Sequence, residues 1–347
     1  MKRLFAFVFV FVSALPLWAQ NWPVALPNLG NYSLKVCHQN LRNYFVVDLT
    51  ASRSSCSSVS ALETKTQKVV QSLRHIDADI YALCELEVND SVLAYLTNAM
   101  NADAGSKIYS YVKNNLTGDN TVIMSGFIYR NDKVKTVGSV GYASTQTYYK
   151  RTMRVQAWQE ISSGEKFILS ENHFKAKDST TDQGESKREK NAQDLVSKLK
   201  NFTADPDILI TGDLNETTSE SAVSYLVQQG YAEQLEQFNT NPYSYYYSGS
   251  YQLIDHALAN STMASQITGA GVFHINTGTR TNSYYSSYWY SDHDAVVVGL
   301  RLGKNTSALQ ESESSVSARK ILRDGQILIL RDGQFYTLTG IPLTLNR

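Results

Sequence analysis

Five stretches of the chain carry side chains that could bind a hard cation and move a proton. They are His38-Gln39-Asn40-Leu41-Arg42-Asn43-Tyr44-Phe45, Ala82-Leu83-Cys84-Glu85-Leu86-Glu87, Glu171-Asn172-His173-Phe174-Lys175 and Thr211-Gly212-Asp213-Leu214-Asn215-Glu216. The fifth is a pair, Leu253-Ile254-Asp255-His256 with Ser291-Asp292-His293-Asp294. Hydrolysis of a phosphodiester needs charge neutralised on the phosphoryl oxygens, a base for the attacking water and a donor to the departing oxygen. Carboxylates and amides suit a hard divalent ion, and histidines beside them suit the proton transfers. Alone, each stretch has an ordinary explanation. An Asp-x-Asn after a strand is commonly a turn, a Glu beside a core Cys a strand end, and a Ser-Asp-His a cap. The order and spacing of all five are harder to account for as loops.

Together these motifs resemble the endonuclease/exonuclease/phosphatase superfamily, and within it the bacterial extracellular nucleases. The likeness rests on an Asn-x-x-Asn-Tyr-Phe start, an Asn-His-Phe-Lys segment and a final Ser-Asp-His-Asp, and it spans residues 36–302. It implies a four-layer sandwich of two packed β-sheets flanked by helices, with the site at one end. It also implies roles. Asn40, Glu85 and Asp292 would serve a divalent ion (Mg²⁺, with Ca²⁺ or Mn²⁺ as alternatives), and Asp213 would orient or deprotonate water. Asn215 would bind a phosphate oxygen, and His173 would contact the phosphate or protonate the leaving oxygen. Asp255 would hold His293, which acts as base or as donor to the phosphate. Asn43, Lys175 and His256 are candidate substrate contacts. His256 stands where other branches place Tyr or Arg, so it could instead cap its strand.

Some neighbours have plainer alternatives. Glu87 could support the ion's ligands or be a solvated strand end. Lys177 could meet phosphate, and Arg188 could brace the loop from its helix, but each is also an ordinary surface cation. The Tyr-rich stretches 243–251 and 284–290, the second including Trp289, precede Asp255 and Asp292. Their rings could stack on unpaired bases or simply pack as loops.

The elements that must position these residues alternate along the chain. Strand patterns fall at 34–39, 80–86, 122–129, 133–140, 155–161, 167–172, 208–211, 253–258 and 295–302. Helical patterns fall at 59–76, 92–100, 185–202 and 220–229. Strands interrupted by helices favour packed sheets with helices outside.

The flanks differ. Lys2 and Arg3 followed by an apolar run from Leu4 to Val12 read as an export leader over residues 1–19. The run is short for a bilayer crossing. The main domain is expected over 20–302, then a Ser/Glu/Lys-rich linker over 303–320. A strand-hairpin tail over 321–347 repeats Ile-Leu-Arg-Asp-Gly-Gln and resembles sorting tails of Bacteroidetes-type exported proteins. In an oxidising compartment Cys37 would pair with Cys56, leaving Cys84 in the core. Lys plus Arg and Asp plus Glu are each 32 among 347 residues, so formal net charge is zero. That argues against tight duplex binding through a basic surface. The expectation is a secreted, monomeric, metal-dependent nuclease acting on DNA, with RNA as a second polymer. The alternatives are a phospholipid or phosphoinositide hydrolase of the same superfamily, and a binding module that has lost its chemistry.

Overall fold

The first strand is buried without interruption from Leu34 to Leu41, so both its faces are covered. Val36 joins one apolar cluster and Cys37 another, as strand alternation requires. The computed structural model describes residues 22–114, 123–145, 149–177, 183–202, 204–277 and 287–303, with short segments between 319 and 343.

In chain order the first half comprises β1 (Leu34–Tyr44), α1 (Val59–Ile76), β2 (Ile80–Glu87), α2 (Asp90–Ala104), β3 (Tyr109–Tyr111), β4 (Ile123–Arg130), β5 (Val134–Thr145) and β6 (Tyr149–Glu160). Then come β7 (Lys166–His173), α3 (Gln183–Asn201), β8 (Ile208–Asp213), α4 (Ser221–Gln228), β9 (Ala232–Glu233), α5 (Gln234–Phe238) and the hairpin β10 (Tyr245–Tyr247) with β11 (Ser250–Gln252). The last are β12 (Asp255–Ala259), α6 (Ser261–Ala264), β13 (Ile267–Phe273) and β14 (Ala295–Leu300).

Two six-stranded sheets result, in the orders β13-β14-β1-β2-β4-β3 and β5-β6-β7-β8-β12-β9. Each is antiparallel except for one parallel pair, β1 with β2 and β7 with β8. Those pairs are the two that a helix, α1 or α3, must cross over to join. The side chains form three apolar clusters. One packs Val69, Leu73, Leu96 and Met100 from α1 and α2 on Cys37 and Tyr81. The middle one sets Val36, Ala82 and Phe127 against Trp158, Leu169 and Leu209. The third packs Leu195, Leu199 and Leu226 from α3 and α4 on Ile168 and Ile210. Three clusters between layers make four layers: helices, sheet, sheet, helices. This is the DNase-like sandwich that the motifs imply.

The short strands β3 and β9, the strand β13 and the hairpin β10–β11 escape the periodicity. β13 reads Ile-Thr-Gly-Ala-Gly-Val-Phe, and glycine argues against a strand interior. The packing explains it: a Cβ on Gly271 would lie 2.4 Å from the Cβ of Pro27, so the segment before β1 needs glycine to lie this close. The hairpin β10–β11 falls in the Tyr-rich stretch, where nothing alternates. The expected disulfide is also absent. Cys37, Cys56 and Cys84 are each buried thiols; Cys37 points under α1, and Cys56 sits beside Ser54 and Ser55.

The chain divides into two compact units, Met1–Asn305 and Thr306–Arg347. The second carries an antiparallel meander of β15 (Arg319–Arg323), β16 (Gln326–Arg331), β17 (Gln334–Tyr336) and β18 (Pro342–Leu343). The leader, most of the linker and both Asp-Gly pairs lie outside the described residues. Among the described residues no helix is long and apolar enough to cross a membrane.

Candidate active site

The ends of β1 and β2 both bulge, and the bulges present ligands. In β1 the register shifts between Asn40 and Tyr44, with Arg42 and Asn43 at φ 50° and 49°. In β2 it shifts between Leu83 and Leu86, with Glu85 at φ 56°. A positive φ at a residue with a Cβ costs about 1 kcal/mol or more, so three together mark a place where geometry is held for use. The Asn43 N–H donates to Glu85 Oε2 at 2.9 Å, tying one bulge to the other. Buried Lys65 on α1 donates to the carbonyls of Leu41 and Arg42 and so backs the turn from below.

The second sheet brings the matching groups. Gly212 lies so close to β7 that a Cβ would sit 2.2 Å from the Asn172 carbonyl oxygen, and this contact sets Asp213 beside His173. His173 Nε2 is 3.5 Å from Glu85 Oε1 and 3.5 Å from Asp213 Oδ2. Asn40 Nδ2 donates to Asp213 Oδ2 at 3.0 Å, and His293 Nε2 stands 3.8 Å from the same oxygen. Asn215, at φ 55°, gives its N–H to Asp213 Oδ1 and its Nδ2 to the Phe174 carbonyl. Ser291 Oγ donates to the Asn40 carbonyl, and Gln39 Nε2 to the His293 carbonyl, so the last motif is tied to the first strand. Asp292 sits at the rim, 3.8 Å from Arg42 Nε, whose guanidinium lies over the Trp289 ring. The structure therefore gathers Asn40, Asn43, Glu85, His173, Asp213, Asn215, Asp255, Asp292 and His293 at one end of the two sheets.

Asp255 Oδ2 lies 2.7 Å from His293 Nδ1 and also accepts from Ser244 Oγ at 2.7 Å. Burial alone would disfavour a charge on His293, but Asp255 and Asp213 outweigh it and hold the ring protonated well above the usual histidine range. Burial would likewise raise Asp255, yet the His293 and His38 rings keep its carboxyl well below the usual carboxylate range. With Nδ1 committed to Asp255, the edge turned toward Asp213 is Nε2.

The donor set fits a hard divalent cation. Oxygen or nitrogen ligand atoms of Glu85, His173 and Asp213 lie within 4.8 Å of one another. Two carboxylates beside an imidazole form a set that Mg²⁺, Mn²⁺ or Ca²⁺ can use, while the Asn40 amide turns Nδ2 toward Asp213 and its Oδ1 accepts the Arg42 N–H.

Two of these residues, His256 and Glu87, read differently in the fold, and the nearby cations have local partners. His256 points away from this centre; it is fully buried, with Nδ1 2.6 Å from Glu233 Oε2 and Nε2 2.7 Å from the Glu216 carbonyl oxygen, so no nitrogen is left for a substrate. Glu87 is neither solvated nor behind the ion's ligands. Its carboxylate accepts the N–H groups of Val46, Val47 and Asp48 and shapes that loop. Lys175 is half-buried and caps the Ala176 carbonyl. Lys177 pairs with Glu220, and buried Arg188 pairs with Glu216 at 2.5 Å, bracing the loop after Asp213.

Sequence reading passed over His38 and Glu171. His38 is wholly buried between the sheets, 2.9 Å from Glu171 Oε1 on one side and 2.9 Å from Asp255 Oδ1 on the other. The usable signal was an ionisable residue two positions before Asn40, on the same face of a strand buried throughout, where it needs a partner.

The Tyr-rich stretch forms a wall beside His293. The Tyr245 ring lies 4.6 Å from the His293 ring, and Tyr245 bridges to His293 through the backbone. Tyr247 stacks parallel to Tyr245 with centroids 6.2 Å apart and is 63% exposed. Residues 284–286 of the other Tyr-rich stretch lie outside the described residues.

A model of the Endonuclease/Exonuclease/phosphatase family matches residues 55–293. No curated protein is significantly similar in sequence. Among solved structures, an endonuclease/exonuclease/phosphatase family protein from Bacteroides thetaiotaomicron is 20% identical, with a TM-score of 0.56 over 77% of this chain and 94% of that one. A mannosyl-6-phosphatase from the same organism is 19% identical, with a TM-score of 0.55 over 77% and 99%. TDP2 of D. rerio complexed with single-strand DNA product is 15% identical, with a TM-score of 0.52 over 76% and 97%. At these identities the likeness is one of fold.

Proposed function

Because the chain belongs to the endonuclease/exonuclease/phosphatase family, whose members hydrolyse phosphoester bonds with a divalent metal, we propose that it is an exported nuclease using Mg²⁺ to cleave DNA, and RNA as a second polymer. The observation that carries this reading is the Tyr245–Tyr247 wall packed on His293. It puts the half-buried Tyr245 ring against His293 and the exposed Tyr247 ring just beyond it, where an unpaired base could stack. The solved structure of a relative of the same fold, TDP2, with a single-strand DNA product points the same way. The charged start and apolar run within residues 1–19 support export.

Glu85 and Asn40, with Asp292 at the rim, would hold the cation, which supplies charge neutralisation on the phosphoryl oxygens. Asp213 Oδ2 faces the centre while Oδ1 is tied to Asn215. It would orient water and take its proton. With Nδ1 bound to Asp255, and its charged form favoured by Asp255 and Asp213, His293 would serve as a donor to the phosphate through Nε2. His173, between Glu85 and Asp213, donates toward the leaving oxygen. Asn215 contributes an amide to a phosphoryl oxygen.

A second reading is a phosphomonoesterase for small sugar phosphates. Zero net charge favours a small ester over a long polyanion, and one relative of the same fold is a mannosyl-6-phosphatase. Incubation of the full chain with supercoiled plasmid, in Mg²⁺ and then in EDTA, separates the two. Metal-dependent nicking that His173→Ala abolishes is expected. Hydrolysis of a hexose 6-phosphate without cleavage of DNA or RNA under any divalent ion would replace the nuclease with the phosphatase.

A further inference from the structure

Behind His293 runs a chain of alternating acid and base that ends inside the sandwich. Asp255 is shared: Oδ2 meets His293 Nδ1 at 2.7 Å, and Oδ1 meets His38 Nε2 at 2.9 Å. The other nitrogen of His38 faces both oxygens of Glu171, at 2.9 and 3.1 Å. Glu171 in turn accepts from Thr211 Oγ1 at 2.9 Å. A neutral imidazole has one N–H, so a ring flanked by two carboxylates at these distances donates from both nitrogens. His38 belongs to the first sheet and its partners to the second. The chain thus ties β1 to β7 and β12 beside the apolar cluster that holds Val36, Leu169 and Leu209.

Stability does not require such a wire. Buried ionic groups replaced by well-packed apolar ones are often neutral or stabilising. What the wire does is geometric. A carboxylate bonded through one oxygen can turn about its Cβ–Cγ bond. With Oδ1 held by His38 and Oδ2 by Ser244, the Asp255 carboxylate has one orientation, and His293 has one ring plane. We propose that His38 is a positioning residue for the reaction, acting through Asp255 to fix the ring of His293. This rests on the reading above that His293 contacts the phosphate.

The test has a structural and a kinetic arm. In full-length protein labelled with ¹⁵N-histidine, the His293 Nδ1–H resonance, identified by its loss in His293→Ala, is expected to shift or broaden in His38→Gln. It should stay in place in His256→Gln, which perturbs a buried histidine of another network. In DNA cleavage, His38→Gln should lower kcat by ~10- to 100-fold, as removal of groups that orient reacting residues commonly does, with KM changed by less than about twofold. In a His293→Ala background the further loss should be under about threefold, since residues acting as a unit are not additive. An unmoved His293 resonance in folded His38→Gln overturns the proposal, as does an equal loss of kcat in both backgrounds. If His38→Gln does not fold, Thr211→Val loosens the far end of the same chain and is held to the same spectral criterion. The spectral arm needs no substrate, so a moved resonance in a protein that does not cleave DNA would sink the nuclease reading and leave the positioning role standing.

Discussion

At the scale of the residue, the fold gives two histidines the same chemistry and opposite uses. His38 and His256 each bond acceptors through both ring nitrogens, and each is wholly buried. His38 leads to the reacting centre, whereas His256 pins the Glu216 carbonyl and, with Arg188 on the Glu216 carboxylate, braces the loop carrying Asp213 and Asn215. For His256, burial opposes the charge, but Glu233 overcomes it and raises the ring above its ordinary value. A raised value means that the stabilisation is fully present below about pH 6.5, the unfolded histidine's range, and is lost as pH rises through the folded value. His256→Gln should therefore lower stability by about 1–3 kcal/mol on the acidic side, since it strands the buried Glu233. The gap to the parent should narrow toward alkaline pH. Urea unfolding at several pH values checks this, and a gap that widens with pH would contradict it.

At the scale of the element, close approach rather than apolar pattern shapes the strands that the periodicity missed. β13 keeps glycine because the segment at Pro27 and Leu29 runs against it, with Thr268 Oγ1 donating to the Leu29 carbonyl. Gly271→Ala would place a methyl 2.4 Å from Pro27 and should cost about 1–3 kcal/mol, the usual range for overpacking. The loss would appear as a lower urea midpoint with the kcat of phosphoester hydrolysis unchanged, because β13 is an edge strand three places from β2 and supplies none of the groups at the centre. A parallel fall in kcat would mean that the edge communicates with the site. The bulges in β1 and β2 work the other way. There, strained residues turn Asn43 and Glu85 toward each other, and regularising them would improve the strands while dismantling the site.

At the scale of the whole molecule, the two sheets meet so that motifs from opposite layers share one end. Glu85 and Asn40 come from one sheet, and His173, Asp213 and Asp255 from the other. Holding the sandwich together and holding the site together are then largely the same task. Charge follows from composition: with 32 basic and 32 acidic residues the protein carries no net charge to draw a polyanion from afar. On the proposed nuclease reading, cleavage of DNA should therefore depend weakly on salt, with kcat/KM falling by less than about tenfold between ~50 and ~200 mM NaCl, far less than for proteins gripping many phosphates. A steep, many-ion salt slope would instead reveal an extended basic track.

The amino-acid sequence by itself determined most of the strand and helix order, and the motifs whose family resemblance implies the four layers and the groups at the centre. Those depend on residue type, local period and spacing, which are written along the chain. Only the tertiary structure decided which of the groups face each other. His256 and Asp255 are neighbours in sequence, yet alternation along β12 sends one to the brace and the other to His293. Glu87 was indistinguishable from a solvated strand end until the loop at Val46–Asp48 closed on it. His38 and Glu171 lie 133 positions apart, and their partnership exists only because two sheets pack face to face. A local pattern carries no information about a partner brought by another layer.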